Sequence, residues 1–275
     1  MNVARVFPRK TSMTPLGPDC YWYYPAIWTP KFDEVHISVC FTWDLPMAEM
    51  LVQQWAGYGK VRIGGPALGD PGNGFEPGLY LKEGVTITSR GCPNNCDFCF
   101  VPQREGKIRE LKIKPGHIVQ DNNLLACSKG HIRKVFEMLR HQSRIDFSGG
   151  LESARVTDEI VEELRGLKIY QIWLSYDRPG AEEPLKKAVE KLSRYFKRDK
   201  IRCYVLIGYE GDSIENAEAR LKEAWEIGTL PFAMRYRTSQ PKREGTFLFK
   251  DRAWNLLARQ WTRPAITKAI MKEAE

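Results

Sequence analysis

No run of eighteen apolar residues occurs in this 275-residue chain, so a membrane-spanning helix is not expected. The opening residues, MNVARVFPRKTSMTP, also lack the unbroken apolar stretch of an export signal, and a cytoplasmic protein is the resulting expectation. Internal repeats and low-complexity tracts are missing, which sets aside repeat architectures. What is present is ordinary for a soluble domain: 43% hydrophobic and 28% charged residues, enough to bury a core without staples. The charge balance, 42 basic against 34 acidic residues, leaves +8 and favours anionic partners through steering. The seven cysteines carry most of the information. Thiols stay reduced in a chain without an export signal, so metal or catalytic use outranks disulfides for any that cluster. Cys20, Cys40, Cys127 and Cys203 stand singly, and the other three are packed together.

The stretch from Ile63 to Leu79, IGGPALGDPGNGFEPGL, is dense in glycine and proline and reads as a connecting loop. Ahead of it, Val35 to Phe41 reads as a strand, Pro46 to Trp55 as a helix marked by Met47, Met50, Leu51 and Gln54, and Lys60 to Ile63 as a second strand. That is one βαβ unit, too small to stand alone. The residues before it, with Tyr21, Trp22, Tyr23, Tyr24 and Trp28, suggest an ordered arm packed over the body. Beyond Gly78 the pattern turns regular. Strands are expected at Gly84–Ser89, His117–Gln120, Ile145–Ser148, Ile169–Ser175, Ile201–Tyr209 and Pro231–Tyr236. Helices are expected at Gly130–His141, Thr157–Leu164, Glu183–Phe196 and Ser213–Ile227, the last closed by Gly228. About six β-α units in succession imply an α/β fold with a parallel sheet, either doubly wound or a complete or partial barrel. Both architectures place ligands at the carboxyl ends of the strands. The chain thus divides into an arm with a small α/β unit (1–78), the β-α series (79–237) and a C-terminal helical extension (238–275).

Directly after the first strand of the series runs Ser89-Arg90-Gly91-Cys92-Pro93-Asn94-Asn95-Cys96-Asp97-Phe98-Cys99-Phe100, a C-x3-C-x2-C spacing. Thiolates are soft donors that select zinc, cuprous copper or iron–sulfur clusters, and a loop this short brings three of them around one small inorganic body. A zinc site, the mark of a non-enzymatic binding module, needs a fourth ligand and usually shows paired C-x2-C spacing. No such pair and no nearby histidine complete one here. A four-iron cluster on three thiolates keeps one iron open to a substrate or cofactor.

The spacing, the aromatic Phe98 before the last cysteine and the position after the first strand of a β-α series resemble the radical S-adenosylmethionine superfamily. The resemblance covers roughly Gly84 to Arg237 and implies a partial (β/α)6 TIM-like barrel. It implies a [4Fe-4S] cluster on Cys92, Cys96 and Cys99, with the open iron chelated by the amino and carboxylate groups of S-adenosylmethionine. Reductive cleavage of that cofactor to a 5′-deoxyadenosyl radical is the implied activity, and an electron donor such as flavodoxin or ferredoxin the implied partner. Phe98 and Phe100, flanking Cys99, fall among the implied cofactor contacts. Asp121, Asn122 and Asn123 occupy the place after the second strand where the family binds the methionine amine, without its usual Gly-Gly-Glu; an Asx turn is the alternative. Ser148, Gly149, Gly150, Glu152 and Arg155 follow the third strand, where the family contacts the methionine carboxylate or the ribose. A different alignment makes that stretch the Gly-Gly-Glu element itself. Ser175 at the end of the fourth strand, and Ile207 and Gly208 at the end of the fifth, match the ribose and adenine regions, or equally plain core and turn.

Val101 to Glu110 resembles the corresponding stretch of radical methylthiotransferases, but only Cys20 and Cys40 precede Cys92, so a second three-cysteine cluster is not completed. Val35 to Leu68 resembles a remnant of a cobalamin-binding domain. It lacks the Asp-x-His-x-x-Gly motif, and His36 sits mid-strand as a structural histidine. Arg104, Lys107, Arg109, Lys112 and Lys114, with Arg235, Arg237, Lys242 and Arg243, place cations where they clamp phosphates, so a nucleotide or nucleic acid leads as substrate; a small molecule or peptide is the alternative.

Overall fold

In the computed structural model, residues 1–70, 74–178, 180–237 and 250–273 are described. The N-terminal part builds β1 (Val3–Phe7), β2 (Cys20–Trp22), β3 (Glu34–Ser38), α1 (Leu45–Trp55) and β4 (Lys60–Gly64). The four strands are parallel, in the order β2-β1-β3-β4. The βαβ unit is there, but the arm ahead of it supplies two more strands instead of lying over the body. Its aromatics divide accordingly: Tyr21 packs edge-on against Phe32 and Trp55, whereas Trp28 is 83% exposed. Helix α1 buries Ala48, Leu51 and Trp55, a stripe at 3.6-residue spacing that leaves Met50 turned outward. With Val35, Ile37 and Val39 these side chains form a separate small core.

The larger part follows as β5 (Val85–Thr86), β6 (Ser89–Arg90), α2 (Val101–Arg104), β7 (Arg109–Glu110), β8 (Ile118–Val119), α3 (Lys129–Arg140), β9 (Ile145–Phe147), α4 (Asp158–Arg165) and β10 (Ile169–Tyr176). It continues with α5 (Glu182–Leu192), β11 (Ile201–Ile207), α6 (Ile214–Glu226), β12 (Leu230–Arg235), α7 (Lys250–Trp261) and α8 (Pro264–Glu273). Strands β5, β8, β9, β10, β11 and β12 pair in parallel, side by side in the order of the chain. This sheet has no reversal of order, whereas the N-terminal sheet reverses between β1 and β3. The short β6 and β7 pair antiparallel outside it.

Local chemistry sets these elements. Thr157, Ser128 and Ser213 cap α4, α3 and α6 by accepting from the N–H three residues on. Helix α5 lays Leu185, Ala188, Val189 and Leu192 against the sheet, as the periodicity predicts. Leu257, Trp261 and Met271 of α7 and α8 join the same core, so the expected C-terminal extension is a further layer on it.

Arg5 fastens the end of the connecting loop to the N-terminal sheet. Its guanidinium donates to both oxygens of Asp19 at 2.7 Å and to the carbonyls of Gly78 and Leu79 at 2.5 and 2.6 Å. The carboxyl ends of the two sheets converge: Arg237, just past β12, lies 4.8 Å over the ring of Trp43, just past β3.

Candidate functional site

The cysteine loop leaves β6 and returns through α2 to β7. Gly91 begins it at φ +82°, where a Cβ would overlap the Lys107 carbonyl, and Cys92 N–H donates to the Gly106 carbonyl at 3.1 Å. Three consecutive residues beyond β8 then hold the start of this loop. Asp121, 1% exposed, accepts from Thr88 N–H (2.6 Å), the Thr88 hydroxyl (2.5 Å) and the Ser89 hydroxyl (2.9 Å). Asn122 Oδ1 accepts from Gly91 N–H at 3.0 Å. Asn123 Nδ2 donates to Cys92 Sγ at 3.5 Å and to Glu152 Oε2 at 2.7 Å. Glu152 also bonds Asn94 within the loop and Arg155 Nε. Burial raises the Glu152 carboxyl, and these three bonds outweigh it, leaving it below the ordinary range.

The residues expected to meet a cofactor therefore divide. Asn123, Glu152 and Arg155 come together beside Cys92. Asp121 faces inward and serves the loop, because its two oxygens are taken by the strand next to it. Ser148 accepts from Gln120 at 2.6 Å through its hydroxyl and from Tyr204 at 2.9 Å through its carbonyl. Gly149 lets β9 close on β8, since a Cβ there would overlap the Asp121 backbone, while Gly150, at φ +90°, faces open space. Ile207 is fully buried core, and Gly208 N–H donates to Asp212 at 2.8 Å. Phe98 packs edge-on to Tyr209, and Phe100 stacks on Tyr236. His36 has both ring nitrogens engaged, with Tyr80 and Glu34 at 2.7 Å each. Of the basic residues, Lys114 pairs with Glu76 and Arg235 donates to Asn255, while Lys242 and Arg243 lie outside the described residues.

Asp177, one residue past β10, belongs to the site although sequence reasoning stopped at Ser175. Burial lifts its carboxyl to about 6, against the Ser175 hydroxyl, the Leu206 N–H, Arg178 and Arg220. Its Oδ1 is enclosed and has no hydrogen-bond partner. A cleft of about 290 Å³ opens there, lined by Phe98, Asp177, Arg178, Leu206, Tyr209 and Arg220. The signal available in the sequence was a carboxylate directly after an apolar strand. A larger hollow of about 390 Å³ lies between α3 and α4, and none of Cys92, Cys96 and Cys99 borders it.

The three thiols lie within electrostatic reach of one another. Burial pushes Cys96 up, Cys99, Cys92 and Asp177 add to the shift, and Arg178 opposes it; burial likewise leads for Cys99, opposed by the Val101 N–H. Among the described residues no three His, Cys, Asp or Glu side chains close into the ligand set of a single metal ion. The donor chemistry suits a thiolate-held cluster: three soft ligands on one loop that the chain holds by other residues. Two enclosed acceptors without partners, Asn123 Oδ1 and Asp177 Oδ1, flank that loop on different sides. No protein-family model matches the chain, and no curated protein matches it.

Proposed function

We propose that the protein is a cytoplasmic radical S-adenosylmethionine enzyme in which Cys92, Cys96 and Cys99 hold a [4Fe-4S] cluster. The six-stranded sheet, ordered as the chain runs, is in this reading a partial (β/α)6 barrel. The observation that carries the proposal is the three-thiol loop flanked by two orphaned buried acceptors, Asn123 Oδ1 beside Cys92 and Asp177 Oδ1 within reach of Cys96 and Cys99. S-Adenosylmethionine offers donors at both ends, an ammonium group and ribose hydroxyls, and an enclosed acceptor without a donor is costly. Asn123 accepts from the ammonium and Arg155 meets the methionine carboxylate. Asp177 accepts from the ribose hydroxyls, and the cleft between Phe98, Leu206 and Tyr209 takes the adenine ring. A cluster held by Cys92, Cys96 and Cys99 would supply one-electron reduction of the sulfonium and, through cleavage of its carbon–sulfur bond, the means of hydrogen abstraction from a substrate. The chain supplies orientation and keeps water out. A low-potential carrier of the flavodoxin or ferredoxin type is the electron donor.

Anaerobic reconstitution should load four irons per chain, and reduction with dithionite should release 5′-deoxyadenosine. Replacing Cys92, Cys96 or Cys99 by alanine should abolish that release while circular dichroism stays unchanged, because the core lies on the strands. Undiminished release from Cys96→Ala, or a protein that takes up zinc and no iron, overturns the proposal.

A further inference from the structure

We infer that the seam between the two sheets is a binding site for a nucleobase carried on phosphate. The inference rests on the radical enzyme reading for what happens to the bound base, but not for the binding itself. Two columns of the same make-up line the seam. In one, Arg237 lies 4.8 Å over Trp43, and Trp43 stacks on Phe41 with centroids 4.6 Å apart and planes 10° from parallel. In the other, Arg104 lies 4.9 Å over Phe100, which stacks on Tyr236 at 6.4 Å and 19°. Tyr236 and Arg237 are consecutive, so the columns stand side by side, one rooted in the N-terminal sheet and the other in the residue after Cys99.

Their place in the fold is where a ligand is expected. Phe41 and Trp43 follow β3 at its carboxyl end, next to the reversal of strand order between β1 and β3, and open parallel sheets take ligands at such reversals. The chemistry narrows the class. Phe41 ends its column 37% exposed, a flat apolar face open to a planar guest. Arg104 and Arg237 form no ion pair among the described residues, in contrast to Arg90, which pairs with Glu105 at 3.3 Å. Trp43 backs the Phe41 ring, at 10° from parallel, and carries Arg237 4.8 Å over its own. Rings and guanidinium planes that stack bases, beside cations left over for phosphate, are the means by which proteins hold unpaired nucleotides.

The test uses the full chain without iron and a fluorescein-labelled single-stranded RNA of about 12 nucleotides, followed by anisotropy. The single strand should bind at least about tenfold more tightly than the same sequence as a duplex, because paired bases cannot stack on Phe41. Affinity should fall about tenfold between roughly 50 and 200 mM salt, as contact with two or three phosphates requires. Trp43→Leu should weaken binding by about tenfold or more, and Arg237→Ala should weaken it and flatten the salt dependence. Competition by a mononucleotide as effective as the oligonucleotide identifies a free nucleotide as the ligand, and competition by the oligonucleotide alone identifies a strand. Binding within twofold of wild type in both Arg237→Ala and Phe41→Ala, or binding indifferent to salt, overturns the inference. Release of 5′-deoxyadenosine from the wild-type protein is scored separately: its failure with binding intact removes the radical reading and leaves the site, and the converse removes the site alone.

Discussion

Asp177 combines a buried carboxylate, an orphaned oxygen and a position at the end of a strand. Around it stand Arg178, Arg220 from α6, the Ser175 hydroxyl, and the Cys96 and Cys99 thiols. Because its pKa is raised to about 6, the folded chain keeps a proton that the unfolded chain has already released above the ordinary carboxylate range near 3.9. Stability attributable to this group is therefore highest below about pH 4 and is lost as pH rises toward 6. Asp177→Asn should remove that loss, stabilising the protein by about 2–3 kcal/mol at pH 7 with little change at pH 4, while weakening S-adenosylmethionine binding. Thermal melts of both proteins at the two pH values check this; an equal difference at both would show that the charge is not the cause. Gly149 has the opposite character, a residue whose whole contribution is the side chain it lacks. Gly149→Ala forces a methyl into the Asp121 backbone and should cost about 1–3 kcal/mol by urea denaturation.

At the scale of elements, the three-residue run 121–123 acts as a fastener between β8 and the cysteine loop. Asp121→Ala strips partners from the Thr88 N–H and the Ser89 hydroxyl, both buried, and should destabilise the protein by about 2–4 kcal/mol. It should also lower iron uptake, although the hydrogen bonds of Asp121 go to Thr88 and Ser89 and not to the loop thiols. Iron per chain and hydrogen exchange at residues 88–92 measure both effects, and full iron content in this variant would show that the loop holds its shape without the fastener. The fold was legible here and the fastener was not, for a physical reason. The apolar runs Ile169–Ser175 and Ile201–Tyr209 announce strands because burial on both faces leaves no other reading. A polar run after a strand points either to a ligand or to the neighbouring strand, and only the neighbour's turn decides. The strands β1 and β2 escaped for a related reason, since Val3–Phe7 and Cys20–Trp22 are short and are flanked by proline and glycine that read as an irregular arm. The three cysteines stood out because their spacing is chemistry before it is structure.

At the scale of the molecule there are two cores, and the end of the loop that runs between them is held by Arg5, its side chain 13% exposed. Arg5→Ala leaves Asp19 and the carbonyls of Gly78 and Leu79 without their donor, and should cost about 2–4 kcal/mol. Differential scanning calorimetry should then show the wild-type transition split or broadened toward the smaller core melting first. A single sharp transition at the wild-type temperature would mean that the seam is held elsewhere.

All seven thiols are unlinked, but shelter is unevenly shared among them. Cys20, Cys127 and Cys203 are walled in, Cys40 is open, and the three of the loop lie between. A pulse of iodoacetamide under native conditions, read by mass spectrometry, is thus a clock with separate hands. Cys20, Cys127 and Cys203 should stay unmodified until the chain unfolds, and the loop thiols should be alkylated in the iron-free protein and spared once iron is loaded.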